Sequence, residues 1–221
     1  MSAESPLPSL SPDFGLIETF LWTRAGGCWL AEGHRARIET SARALGFPFS
    51  PQAYEKALAQ ACAAPGADRL RVRLELRGDG GFVTSATPFA PEPAEKVWRV
   101  AIAEARLDSR DSLLRHKTTR RALYENALAA ARAADGSVDE VIFVNERNEV
   151  CEGARANLFL PRDGVLLTPP LSCGLLAGVL RADLLARGEA REQRLGLDDL
   201  RDGFMLGNAL RGQFRARLRD A

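Results

Sequence analysis

The clearest alternation of apolar and polar positions lies at residues 70–77, LRVRLELR, and it predicts a strand with one wet face. The glycines of residues 78–81 turn it into an antiparallel partner at residues 82–85. Upstream, residues 16–22 (LIETFLW) predict a first strand, with Trp29 and Leu30 as its partner after the Ala25-Gly26-Gly27 turn. Ile38, Ser41, Ala42 and Leu45 recur at helical spacing, and Gly46 with Pro48 stops that helix. Ser50 is placed to cap a second helix, with Pro51 at its first position, Tyr54, Leu58 and Ala61 on one side and an end at Ala63 before Pro65 and Gly66.

Between residues 86 and 95 the text ATPFAPEPAE carries Pro88, Pro91 and Pro93, which neither a helix nor a central strand absorbs. This predicts a Ser/Pro-rich arm at residues 1–12, a small α/β domain at 13–87, a Pro-rich linker at 88–95 and a larger domain at 96–221. The second half opens with a strand at residues 98–103, passes a polar stretch at 108–112 and enters a helix over about 118–134 that Asp135-Gly136 ends. Residues 141–160 (VIFVNERNEVCEGARANLFL) read as a strand, a polar turn at 145–148 and a second strand resumed at Val150. A short strand at 164–167, a helix at 178–186 buried through Leu180, Leu184 and Leu185, and strands at 191–195 and 204–207 complete an α/β (α+β) pattern.

Composition narrows the functions open to such a chain. Its 221 residues with 46% hydrophobic content suffice for a sizeable core. A formal net charge of +1, from 30 basic and 29 acidic residues, gives no electrostatic reason to expect nucleic acid or an anionic membrane as partner. No apolar run approaches the roughly 20 residues that span a bilayer, and residues 1–10 lack the charged and apolar regions of a signal peptide, so the expected location is cytoplasmic. Cys28, Cys62, Cys151 and Cys173 show no metal or redox spacing, and with only His34 and His116 as imidazoles no metal site is expected.

Against that background one residue type is scarce. Lysine occurs only at Lys56, Lys96 and Lys117, the other basic residues being arginine. Lysine can lose its proton and form a Schiff base, which arginine cannot. Lys117, in RHKTTRR, sits at the junction of an extended segment and a helix. By pattern it is either one more member of a basic helix start or a reactive amine. Glu152, followed by Gly153, Ala154, Ala156 and Asn157, is either a solvent-facing acid at a strand end or a buried acid approached by a flat partner. In TPPLSCGLLAGVLR, residues 168–181, Gly178 starts a helix whose amides at Val179 and Leu180 could bind an anion, the alternative being a plain loop into a packed helix. Arg37 and Asn208 could add phosphate contacts or serve only as surface and capping residues.

Taken together, HRAR at residues 34–37, HK at 116–117, EGARANLF at 152–159, TPPL with GLLAGVLR at 168–181 and GNALRG at 207–212 resemble the class IV aminotransferases. These are the fold-type IV pyridoxal-phosphate enzymes, and the resemblance runs from about Asp13 to Leu218. It implies a two-domain α/β fold with the cofactor, pyridoxal 5'-phosphate, in a cleft, and a homodimer. Lys117 matches the Schiff-base lysine, Glu152 the acid on the pyridine nitrogen, and Arg37 the phosphate-binding arginine. Val179 and Leu180 match the two phosphate-binding amides, and Asn208 stands where a hydroxyl residue often binds the same group.

Within the family, GLIETF, HKTTRRALYENA and LGNALRG are most similar to aminodeoxychorismate lyase, which implies formation of 4-aminobenzoate and pyruvate in folate synthesis and a possible aminodeoxychorismate synthase as partner. Thr19, Arg155 and Arg211 are then the candidate substrate contacts. The alternatives are a transaminase of the branched-chain or D-amino-acid type, and a silent relative that only binds. Two departures stand out. Family members carry a longer stretch before the segment matching Asp13, which predicts a rebuilt pocket or dimer surface, and Ala122 stands where branched-chain members have a tyrosine.

Overall fold

The computed structural model describes residues 13–63 and 67–219. The expected arm at residues 1–12 and the helix stop at Pro65 and Gly66 lie outside the described residues. Two sheets organise the chain, one of four strands in the order β2-β1-β3-β4 and one of eight in the order β10-β9-β8-β11-β12-β5-β6-β7.

In the first, β1 (Leu16–Thr23) pairs antiparallel with β3 (Arg69–Leu76), which pairs with β4 (Phe82–Pro88). The alternation sends Leu16, Phe20, Leu70, Val72, Leu74 and Leu76 into a core with helices α1 (Ala31–Leu45) and α2 (Pro51–Cys62). Both helix ends follow the local chemistry read from the text. Gly46 takes a left-handed φ of 74° after α1, and Ser50 Oγ accepts the Ala53 N–H at 3.2 Å to cap α2. The strand paired with β1 is β2 (Gly27–Cys28), and Trp29 continues the pairing by donating its N–H to the Leu21 carbonyl at 2.9 Å, whereas Leu30 does not join it. Leu30 instead turns left-handed, with φ 54°, to start α1. Strand β4 also runs on through Ala86, Thr87 and Pro88, residues read as connector, because as the edge strand it tolerates a proline.

The second sheet closes on itself. Strands β8 (Asn157–Arg162), β11 (Phe204–Asn208), β12 (Gly212–Leu218), β5 (Trp98–Ile102), β6 (Glu140–Val144) and β7 (Val150–Gly153) pair in sequence, and β7 returns to β8 through Glu152 opposite Asn157. Strands β9 (Val165–Thr168) and β10 (Ala190–Glu192) extend the ring from β8. Val100, Ile142, Val150, Leu158 and Leu206 fill the barrel, and α3 (Ala122–Ala134) and α4 (Val179–Ala186) pack outside it.

Three elements differ from the pattern expected of the sequence. The second strand expected from Val150 to Leu160 is broken into β7 and β8 by a tight reversal in which the Gly153 N–H donates to the Ala156 carbonyl at 2.7 Å. Strand β12 went unread, although Phe214, Ala216 and Leu218 alternate in it. Helix α3 begins at Ala122 rather than near Thr118, because residues 117–119 are extended against β1: Ile17 N–H donates to the Lys117 carbonyl at 2.8 Å and Thr119 N–H to that of Gly15 at 2.9 Å.

Candidate active site

That extended segment places Lys117 beside the outward face of the four-stranded sheet, at the mouth of the barrel, in the wall of a cavity of about 480 Å³. Glu152, on β7, lines the same cavity and is 5% exposed. Its Oε1 accepts the Tyr124 hydroxyl at 3.0 Å, and its Oε2 accepts Asn157 Nδ2 at 3.3 Å. Both direct partners are neutral, so burial dominates and pushes its pKa up to about 7. Lys117 moves the other way, down to about 7, first through burial and then through the charges of Arg121 and Arg37. An amine so placed is substantially neutral at pH 7, as a nucleophile must be. Arg121 stands at the start of α3 against the dipole, but it donates to the Ala154 carbonyl and lies 5.2 Å over the Tyr124 ring, so the β7–β8 reversal holds it.

At the other end of the cavity Arg37 is held by a second buried acid. Glu18, 1% exposed on β1, accepts Arg37 Nε at 2.8 Å and Nη2 at 2.6 Å, and His34 Nδ1 at 2.5 Å. Burial alone would raise Glu18, but Arg37 and His34 outweigh it and hold the carboxyl down at about 2. An ionised carboxylate only accepts, so the His34 proton sits on Nδ1, and burial keeps the ring neutral by pushing its pKa down. Arg37 Nη1 also donates to the Ala177 carbonyl at 3.3 Å. Of the five N–H groups of a guanidinium these three contacts leave two, one on each terminal nitrogen.

Ala177 immediately precedes α4, where the amides of Val179 and Leu180 have no backbone acceptor among the described residues. Two glycines make this approach possible. A Cβ at Gly33 would lie 2.7 Å from Val179 Cγ1, and one at Gly178 only 1.8 Å from Asn157 Oδ1. The result is an arginine and a helix N-terminus together, a donor set suited to a phosphate.

The family model for "Amino-transferase class IV" matches residues 15–218. The chain belongs to the class IV aminotransferase family. A curated "Putative aminodeoxychorismate lyase" from Schizosaccharomyces pombe is 30% identical over 204 residues, covering 89% of this chain and 86% of that protein. Among solved structures, a "Putative amino-acid aminotransferase" from Mesorhizobium loti superposes with a TM-score of 0.87 at 43% identity, covering 94% of this chain and all of that one. The 4-amino-4-deoxychorismate lyase of Pseudomonas aeruginosa superposes with a TM-score of 0.78 at 27% identity, covering 100% of this chain and 89% of that one. This is an enzyme of a pyridoxal-phosphate-dependent family with the fold-type IV architecture.

For a class IV enzyme the residues present fit the family's cofactor, because an amine, a buried acid with only neutral direct partners, and a cationic anion-binding corner line one cavity. The remaining expected residues fall into three groups. Val179 reaches the cavity wall, as do Thr19 on the outward face of β1 and Arg211. Asn208 and Arg155 also line it but are committed elsewhere. Asn208 Nδ2 donates to the Arg155 carbonyl at 2.9 Å and its Oδ1 accepts the Leu210 and Arg211 amides, while Arg155 Nε meets Glu140 Oε2 at 3.0 Å. Leu180 sits one residue behind the wall and is 3% exposed.

Sequence reading missed Tyr124, Glu18 and His34 as parts of this site, although GLIETF and HRAR were singled out as motifs. It also missed Arg71 and Arg73, whose alternation with Leu70, Val72 and Leu74 reads as a plain wet face. That face is a cavity wall. Arg73 is paired with Glu75 at 2.8 Å, and Arg71 carries no salt bridge among the described residues.

Proposed function

We propose that this chain is a pyridoxal-phosphate-dependent enzyme of the aminodeoxychorismate lyase type, converting 4-amino-4-deoxychorismate to 4-aminobenzoate and pyruvate for folate synthesis. The observation that carries the reading is the pairing, in one cavity, of Lys117 with its pKa lowered to about 7 and Glu152 buried among neutral donors. When bound, the cofactor supplies a protonated pyridine ring that takes up the electron pair released at the substrate carbon. Lys117 would be the Schiff-base lysine, and its Nζ would then take the proton from the amine-bearing ring carbon and give it up as the enolpyruvate C–O bond breaks and that group leaves as pyruvate, so that the ring is left aromatic. Glu152 keeps the pyridine nitrogen protonated through a charge-assisted hydrogen bond. The two remaining Arg37 N–H groups and the Val179 and Leu180 amides orient the phosphate.

The substrate named is a dicarboxylate, and the rim is built for anions. Arg71 and Arg211 face the cavity without an acidic partner among the described residues, and Arg155 and Thr19 stand beside them. The direction of the Arg211 shift supports this grouping: burial, then Arg155, pushes its pKa down. No helix among the described residues is long and apolar enough to cross a membrane, and we place the enzyme in the cytoplasm as a homodimer, with an aminodeoxychorismate synthase as the supplier of its substrate.

A second reading, a transaminase for a small amino acid, is favoured by the name and 43% identity of the Mesorhizobium loti protein. Purified enzyme given each substrate set separates the two. Release of 4-aminobenzoate from 4-amino-4-deoxychorismate supports the lyase, whereas turnover of amino donors with 2-oxoglutarate and none of aminodeoxychorismate sinks it.

A further inference from the structure

Beneath the Pro-rich connector lies a second, smaller cavity of about 260 Å³, bounded on one side by Phe89, Pro91 and Pro93 and on the other by β5, β11 and β12. Its walls are aromatic. Trp98 packs on Phe214 with ring centroids 4.2 Å apart, and Phe89 closes the top. Most of its polar side chains are donors, the acceptors being Glu92 and the amide oxygen of Gln213. Trp98 is 4% exposed and lines this chamber and not the larger one, yet its Nε1 has no hydrogen-bond partner among the described residues. Arg211 lines both chambers, its guanidinium lies 5.7 Å over Phe89 and 5.9 Å over Trp98, and its Nε is likewise buried and unpartnered. Arg215 adds charge at the edge, and the one acid in the wall, Glu92, meets Lys96 at 3.3 Å, an amine it shares with Asp139 at 2.8 Å.

Buried donors without acceptors are costly, by about 1–3 kcal/mol each, so an occupant that brings acceptor oxygens is strongly preferred over an apolar one. Three rings ask for a flat apolar body that stacks on them. The volume falls just below the roughly 300–1,000 Å³ of drug-sized sites, which limits the body to about one ring. We propose that this cavity is a second binding site for a single-ring aromatic carboxylate, its carboxylate on Trp98 Nε1 and Arg211 Nε and its ring between Phe89 and the Trp98–Phe214 pair. Because Arg211 belongs to both walls, an occupant here competes for a cation that faces the larger cavity.

The test is fluorine NMR of 4-fluorobenzoate added to the purified full chain with pyridoxal phosphate present, with 4-fluorotoluene as the uncharged control. The site predicts saturable binding of 4-fluorobenzoate at roughly millimolar concentration or below, and none of the control. Phe89→Ala, which removes the ring that closes the top of the chamber, weakens it at least about tenfold. Trp98→Phe, which keeps a ring and removes the donor, weakens it about tenfold. Absence of saturable binding overturns the proposal. So does binding that survives both variants, or binding that is lost instead in Thr19→Trp, which would put the probe in the larger cavity.

Discussion

Two carboxylates are buried to nearly the same degree in this protein and behave in opposite ways. Glu18 is 1% exposed and held near pKa 2, whereas Glu152 is 5% exposed and raised to about 7. The difference lies in who faces them. Glu18 has its cation built in, since Arg37 forks onto it and His34 donates from the other side. Glu152 is met directly by a phenol and an amide, which satisfy its oxygens without matching its charge. A buried acid with its own cation is a structural anchor, and here it aims Arg37. A buried acid given only neutral donors is shaped to meet a cation that arrives with a ligand.

The largest effect should come from breaking the anchor. Glu18→Gln leaves the buried His34 and the part-buried Arg37 without their carboxylate, and unfolding by urea should show a loss of about 3–5 kcal/mol. The same change at Glu152 is the contrast. Glu152→Gln should lower kcat/KM about a hundredfold, equal to about 2.7 kcal/mol of transition-state stabilisation, while urea unfolding of the cofactor-free protein shows no loss of stability. A stability loss at Glu152 as large as that at Glu18 would erase the distinction.

How far these roles were legible in the chain follows from the same contrast. Lys117 stood out because lysine is scarce, and Glu152 because of its small neighbours, and both gained their meaning from ordered motifs shared with a family. Ser50, Gly46 and the alternation in β3 gave local structure correctly because caps and pleats are decided within a few residues. What could not be read depends on distant partners. Glu18 meets His34 and Arg37 only after α1 folds back on β1, and Tyr124 reaches Glu152 only because α3 starts late, at Ala122. Arg71 looks identical to a solvated strand arginine until the barrel is set opposite it.

Smaller effects sharpen the account. Tyr124→Phe removes one neutral donor from Glu152 and should weaken cofactor retention less than tenfold, roughly 1 kcal/mol, as read by spectroscopic titration. The subtlest prediction concerns pH. The folded pKa of Glu152 lies above its ordinary 4.5, so the cofactor-free protein is favoured below 4.5, and that advantage disappears as pH rises through about 7. Glu18 is the reverse: its contribution is present above 4.5 and is lost as pH falls through about 2. Stability of the native protein minus that of Glu152→Gln should therefore decline between pH 4.5 and 7 and be flat below that window. A difference that rises across it would mean that Glu152 is ionically paired after all.

The central claim, that Lys117 and Glu152 form a site for a carbonyl cofactor, is tested most directly by one spectrum. Purified protein is mixed with pyridoxal phosphate, its visible absorption is recorded before and after borohydride, and the modified peptide is mapped. The account predicts a visible band that borohydride abolishes and a single fixed adduct on Lys117. No band, or label spread over Lys56 and Lys96, would contradict it and leave a chain that shares the fold without the chemistry.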